Sequence, residues 1–273
     1  MRLSFHGCSS MHTNLVTDIR IVKEVGYDAI EITTAKLGRY LDAGYHVEAL
    51  LPVLGGLFPA SISSIDGIEC QKPDERRSLL RRCERFSEAA RALGCPAIQV
   101  IALDGLKADP WGETRVKIAR SLGELADIAV QVGVSLTLEP VVVSPLRTLA
   151  QALEVLEMAG KENVGLGIDL FHLWAGGTSW DEIARLDPKL MASVHVGDGT
   201  IPKGREWTDD DRGVLPGDGV VPLREGIAAV RSAGYDDLWT VECYSPYHWE
   251  WDPEVYYREL KRRMVELLAD QST

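Results

Sequence analysis

Glu139, Asp169, His195 and Glu242 each close a short, mostly apolar run: SLTLE (135–139), VGLGID (164–169), LMASVH (190–195) and LWTVE (238–242). A run of this kind that ends in a carboxylate or an imidazole places a hard ligand where a buried sheet meets solvent. Asp169 follows Glu139 by 30 residues, His195 follows Asp169 by 26, and Glu242 follows His195 by 47. These steps match about one to one and a half strand-plus-helix units. One such strand end carries little information, since a strand-end glutamate commonly pairs with arginine and a core histidine commonly has its hydrogen bonds met. Four in succession predict a ring of ligands around one divalent metal ion. Three carboxylates and one imidazole form an oxygen-rich, hard donor set. It suits Mn²⁺ first, with Co²⁺, Mg²⁺ and Zn²⁺ as alternatives, and excludes a thiolate-type site.

Two carboxylates on opposite sides of a metal-held substrate can also do acid–base work. A metal bridging a carbonyl and the neighbouring hydroxyl acidifies the C–H between them and stabilises the enediolate that forms. One glutamate removes the proton and the other returns it, at the other face or at the adjacent carbon. Glu139 and Glu242 are the expected pair, each bound through one oxygen with the second left for the proton. This predicts a sugar or polyol-ketone isomerase or epimerase. Two rivals stand beside it: a lyase that uses the same site to expel a β-substituent (a keto-inositol dehydratase, or elimination from an oxidised glycoside), and a non-catalytic barrel that binds a sugar or a partner.

These residues require eight positioned strands. Strand-like runs lie near 2–8, 28–33, 60–65, 96–102, 134–139, 164–169, 190–196 and 238–243. Helical patterns alternate with them over 15–26, 74–94, 113–133, 146–160, 222–234 and 253–269. Gly26, Gly94, Gly133, Gly160 and Gly234 stand where helices stop, and Pro253 stands at a helix start. Eight units in 273 residues give about 34 residues each, the arithmetic of a (β/α)8 TIM barrel in a single α/β domain, 1–273. An open doubly wound sheet is disfavoured by the lack of GxGxxG after the first strand. One connection is long: GDGTIPKGREWTDDDRGVLPGDG (197–219) follows the seventh strand and reads as a lid or binding loop.

Composition narrows the partners. A net charge of −12 and a pI near 5.0 argue against nucleic acid and anionic membranes. No run is long and apolar enough for a membrane span, and MRLSFHGCSS has no signal-peptide pattern. Five scattered cysteines without a CxxC read as reduced thiols in a cytoplasmic protein. The partner expected is a small sugar or polyol, with a homo-oligomer as the assembly to look for.

The motifs LEP, GIDLFHLW, VHVGD, an arginine before PGDG, and VEC together resemble the xylose isomerase-like TIM barrel family, which includes sugar phosphate isomerases and epimerases; GYDAIEI (26–32) is similar to its second-strand motif. The resemblance spans essentially the whole chain. It implies that Glu139, Asp169, His195 and Glu242 bind the metal, that Glu139 and Glu242 are the acid–base pair, and that His172 and Arg212 contact substrate oxygens. PVVVSPL after Glu139 departs from the longer polar signature of ketose 3-epimerases, and the Asn-His-Pro segment of dehydroshikimate dehydratases is absent. The extra histidines of the trinuclear-zinc endonucleases are absent too.

Other residues divide between site and scaffold. His6 and Glu31 end the first two strands on the same rim. Asp198 is a candidate to orient His195 or Arg212, or to begin a turn. Trp174, Trp207 and the run YSPYHWEW (244–251) are candidate stacking walls or packing residues, with Trp174 and His6 taken as substrate contacts. The Arg-rich stretch 76–85 reads as a solvated helix face with i,i+4 pairs, and nothing resembles a phosphate cradle.

Overall fold

In the computed structural model, which describes residues 2–103 and 109–269, eight parallel strands close into a barrel in chain order. They are β1 (Arg2–His6), β2 (Ala29–Thr33), β3 (Phe58–Ile65), β4 (Ala97–Ile101), β5 (Ser135–Glu139), β6 (Val164–Asp169), β7 (Met191–Val196) and β8 (Leu238–Val241). The ring closes through β1 and β8, from Arg2↔Leu238 to Phe5↔Val241. The TIM barrel expected from the strand count is the observed fold. Residue 1 and residues 104–108 and 270–273 of the expected 1–273 domain lie outside the described residues.

Ten helices surround the ring among the described residues: α1 (Leu15–Val25), α2 (Thr34–Asp42), α3 (Leu51–Leu54), α4 (Pro73–Leu93), α5 (Trp111–Val130), α6 (Leu149–Ala159), α7 (Leu170–Ala175), α8 (Trp180–Ala184), α9 (Leu223–Ser232) and α10 (Pro253–Leu268). Their ends follow local chemistry. The Asn14 side chain accepts the Thr17 N–H to start α1, and Thr148 and Gln151 cap α6 reciprocally. Four helices were not foreseen: α2, α3, α7 and α8. TAKLGRYLD is short and carries a glycine, and α2 is started by Thr33, whose hydroxyl accepts the Lys36 N–H. α7 starts directly on the last residue of β6, leaving no loop to mark it.

Alternate strand residues face opposite sides, and here the two sides differ. In β2, Ile30 and Ile32 join the apolar core under the helices, whereas Glu31 reaches His195 and Thr240. Two residues before each predicted ligand, and so on the same face, stand Thr137, Gly167, Ser193 and Thr240. The barrel interior beneath the ring is therefore polar and small, not filled with branched apolar side chains as in many barrels.

A buried ion pair fixes the loop after β1. Lys36 and Asp18 are both fully buried and bonded to each other. Lys36 Nζ also donates to Gly7 O at 3.0 Å and Ser10 O at 2.7 Å, and Tyr257 donates to Asp18 Oδ1 at 2.6 Å. One cluster thus ties residues 7–13 to α1, α2 and α10. The arginines of α4 divide: Arg77 pairs with Asp74 along its own helix, whereas Arg76, Arg82 and Arg85 pair with Glu124, Asp66 and Asp42 on other elements. Among the described residues no helix is long and apolar enough to cross a membrane, and no disulfide links the five cysteines.

Candidate metal centre

The barrel brings one ligand atom from each of Glu139, Asp169, His195 and Glu242 to within 4.8 Å of one another, all four residues being buried. Glu139, Asp169 and His195 lie on β5, β6 and β7, and Glu242 follows β8 by one residue. His195 Nδ1 lies 3.1 Å from Glu139 Oε1 and 3.0 Å from Glu242 Oε2. None of these three atoms makes a hydrogen bond among the described residues. Buried polar atoms without partners are costly, about 1–3 kcal/mol each. Here they converge from separate strands, as a ligand set for a cation does.

Charge agrees with that reading. Burial pushes the Asp169 carboxyl up to about 8, and the neighbouring Glu242 and Glu139 charges push the same way. Burial opposes a charge on His195 as well, but Glu31, Glu139 and Glu242 raise it well above the ordinary imidazole range. The protein gathers more negative charge here than its own cations balance. A divalent ion would relieve the surplus and take the place of the imidazole proton.

Glu31 orients the histidine. Its Oε1 lies 3.1 Å from His195 Nε2 and accepts the Thr240 hydroxyl at 2.6 Å. Burial would raise Glu31, yet His195 and His6 hold its carboxyl down to about 2, so it is an ionised acceptor. A carboxylate on Nε2 assigns the ring proton there and leaves Nδ1 as the candidate ligand atom. Asp198, the sequence candidate for this role, instead serves the long loop. Glu31→Gln is expected to keep the barrel folded and weaken metal binding about 10–100-fold. A competition titration with a chromophoric chelator checks this, and unchanged affinity would remove Glu31 from the role.

The outer oxygens of the two glutamates are held unequally. Glu139 Oε2 accepts from the buried Gln99 amide, a partner the sequence reading missed. Glu242 Oε1 accepts from Arg212 Nη1 at 2.7 Å and from Cys8 Sγ at 3.4 Å. The Arg212 guanidinium sits 4.8 Å over the Tyr244 ring. Arg212 Nη1 donates to His172 Nε2 at 3.3 Å, and the Val142 N–H lies 3.4 Å from Nδ1 of the same ring. Burial, and then the Arg212 charge, push His172 down to about 3, so the ring is neutral. The Arg212 cation and the neutral imidazole that accepts from it stand side by side above Glu139, Asp169, His195 and Glu242.

These groups open into a cavity of about 320 Å³ lined by His6, Cys8, Glu139, His172, Arg212 and Glu242, among others. His6, Cys8 and Glu242 form a second cluster with metal-like spacing. Its hydrogen bonds argue otherwise: His6 Nδ1 accepts the Cys8 N–H at 3.2 Å, so Nε2 carries the proton and donates to Ser63 Oγ at 2.7 Å. Neither ring nitrogen is left for an ion. Trp174 is not on the cavity wall; its ring packs edge-on against Trp207 at 6.1 Å, which sets aside the substrate contact expected for it.

Comparison with known proteins points one way. The sequence model of a family described as xylose isomerase-like TIM barrel matches residues 19–267. Proteins named inosose isomerase match along nearly their full length. That of Halalkalibacterium halodurans is 26% identical, covering 100% of this chain and 98% of its own. That of Bacillus velezensis is 28% identical, covering 96% and 95%. A crystal structure described as the IolI protein with a bound zinc atom superposes with a TM-score of 0.92 at 25% identity, covering 98% of both chains.

Proposed function

The chain belongs to the xylose isomerase-like TIM barrel family, and from that premise we propose that it is a divalent-metal-dependent isomerase acting on an inosose, a cyclic polyol ketone. The observation that carries the proposal is the paired setting of Glu139 and Glu242. Each turns one oxygen toward His195 Nδ1 and holds the other beside a hydrogen-bond donor.

Glu139, Asp169, His195 Nδ1 and Glu242 would hold the metal. When bound, it polarises the substrate carbonyl and the adjacent hydroxyl and so acidifies the C–H between them. One glutamate takes the proton from that carbon through its outer oxygen. The other delivers a proton to the former carbonyl carbon, and the hydroxyl proton passes to the former carbonyl oxygen, so the ketone moves one position with no atom lost. The Arg212 guanidinium and the His172 imidazole beside it meet substrate oxygens and fix the ring's orientation. Cavity cations bring no phosphate site, because Arg212 is already paired with Glu242. This matches an uncharged polyol.

Zinc is the first ion to test, given the zinc in the similar structure, whereas the donor set alone put Mn²⁺ first. A lyase would need the same proton abstraction followed by loss of a substituent, but the full-length relatives carry the isomerase name. Purified protein is expected to hold about one divalent metal per chain and to convert an inosose into an isomer of unchanged mass. A product lighter by one water would turn the reading to a lyase. Elemental analysis without metal, combined with no rise in Tm on adding Zn²⁺, Co²⁺ or Mn²⁺, would end it.

A further inference from the structure

We infer that Asp198 is a positioning residue for Arg212, acting through the long loop between β7 and α9. Its buried carboxylate accepts four backbone N–H groups. Oδ1 takes those of Gly199 at 2.8 Å and Val221 at 3.2 Å, and Oδ2 takes those of Gly217 and Gly219, both at 2.9 Å. One side chain thereby joins the first residues of the loop to its last, and residues 200–216 become a closed strap whose ends cannot separate.

Arg212 sits inside that strap beside anchored neighbours. Thr200 N–H donates to Asp211 O at 2.7 Å, Val220 N–H donates to Gly199 O at 2.9 Å, and Asp198 and Val214 form a bridge. Arg205 clamps the buried Asp211 at 2.6 and 2.7 Å. The glycines of GDG and PGDG have a steric role here. A Cβ on Gly219 would meet Asp198 Oδ1 at 2.1 Å and Gly199 O at 2.4 Å, and one on Gly199 would meet the Phe171 ring at 2.2 Å and Asp211 O at 2.3 Å. Only bare backbone can wrap the carboxylate so closely. The product of this wrapping is one fixed guanidinium, 2.7 Å from Glu242 Oε1. Arginine carries large rotamer entropy, so its placement depends on the rigidity of its backbone. Asp198 makes no hydrogen bond to His195 and does not line the cavity, so its influence on the site runs through the strap.

The kinetic arm of the test rests on the isomerase reading; the proteolytic arm does not. Metal-loaded Asp198→Asn and Gly219→Ala are expected to lose kcat about 10²-fold, the scale of a misplaced group, while metal affinity stays unchanged. The double variant Asp198→Asn/Arg212→Ala should fall no further than Arg212→Ala alone. Trypsin should spare the Arg212–Gly213 bond in the parent protein and cut it in Asp198→Asn and Gly219→Ala, read by mass spectrometry. Multiplying losses in the double variant, or loss of metal affinity in step with kcat, would overturn the inference. If the parent turns over no inosose, the isomerase reading fails alone, and cleavage at Arg212 still decides: equal cutting in parent and variants overturns the strap.

Discussion

Glu242→Gln, loaded with metal, is expected to retain the ion while turnover falls about 10²–10⁴-fold, the range for losing a positioned acid or base. Glutamine keeps the size of the side chain and one carbonyl oxygen for the ring but cannot take up a proton. Glu139→Gln should lose activity on the same scale, yet the two should fail differently. Glu139 is held by a neutral amide, Gln99, whereas Glu242 is held by the Arg212 cation, so an amide at 242 also strips Arg212 of its buried counter-charge and leaves it only the more exposed Asp209. The variant lacking the initiating base should not exchange the substrate C–H with D₂O. The variant lacking only the second group should still exchange it without completing the isomerisation. Full activity in metal-loaded Glu242→Gln would refute the two-carboxylate mechanism.

The second large effect concerns stability. Lys36→Met is expected to destabilise the protein by about 3–5 kcal/mol, the cost of leaving a buried charge uncompensated. Burial raises Asp18 above the ordinary carboxylate range even with Lys36 beside it, and burial lowers Lys36. Each group therefore depends on its partner to stay charged out of water. Removing the lysine also strips donors from Gly7 O and Ser10 O, in the loop that carries Cys8 to the cavity. Urea unfolding measures the loss. Asp18→Asn should cost a similar amount, and the double variant should cost less than the two losses added, because neither charge is then stranded. A loss under about 1 kcal/mol, typical of an exposed pair, would show the cluster to be dispensable.

Much of the architecture was legible because βα repeats leave a strong alternation in sequence, and because β5 and β6 end on Glu139 and Asp169 and β7 ends one residue past His195. Residues two places earlier carried a second signal that the reading passed over. Thr137, Ser193 and Thr240 interrupt otherwise apolar runs at alternate positions, and that parity marks the polar barrel interior in which Glu31 and Gln99 also stand. Strands buried on both faces normally read as continuous apolar runs, so a polar residue at every second position already marks an unusual interior. Glu31 looked like a rim residue because the strand spacing does not say which side chain crosses the barrel to His195. Asp198 was noticed, but four backbone donors spread over residues 199–221 leave no pattern in one dimension. α2 and α7 are short and start directly after β2 and β6, capped by Thr33 and Asp169, so no loop marks them.

The central claim is proton transfer between adjacent carbons of a cyclic polyol ketone by a metal-dependent carboxylate pair. The direct measurement is NMR of an inosose incubated in D₂O with the metal-loaded protein, beside a sample stripped by chelator and one restored with Zn²⁺. Recovered substrate should carry deuterium at the carbon next to the carbonyl. Product should carry it at the former carbonyl carbon, with the carbonyl moved one position and no water lost. Both should vanish on stripping and return with the ion. Exchange that survives complete removal of metal, or a loaded protein that neither exchanges nor isomerises any inosose, would contradict it.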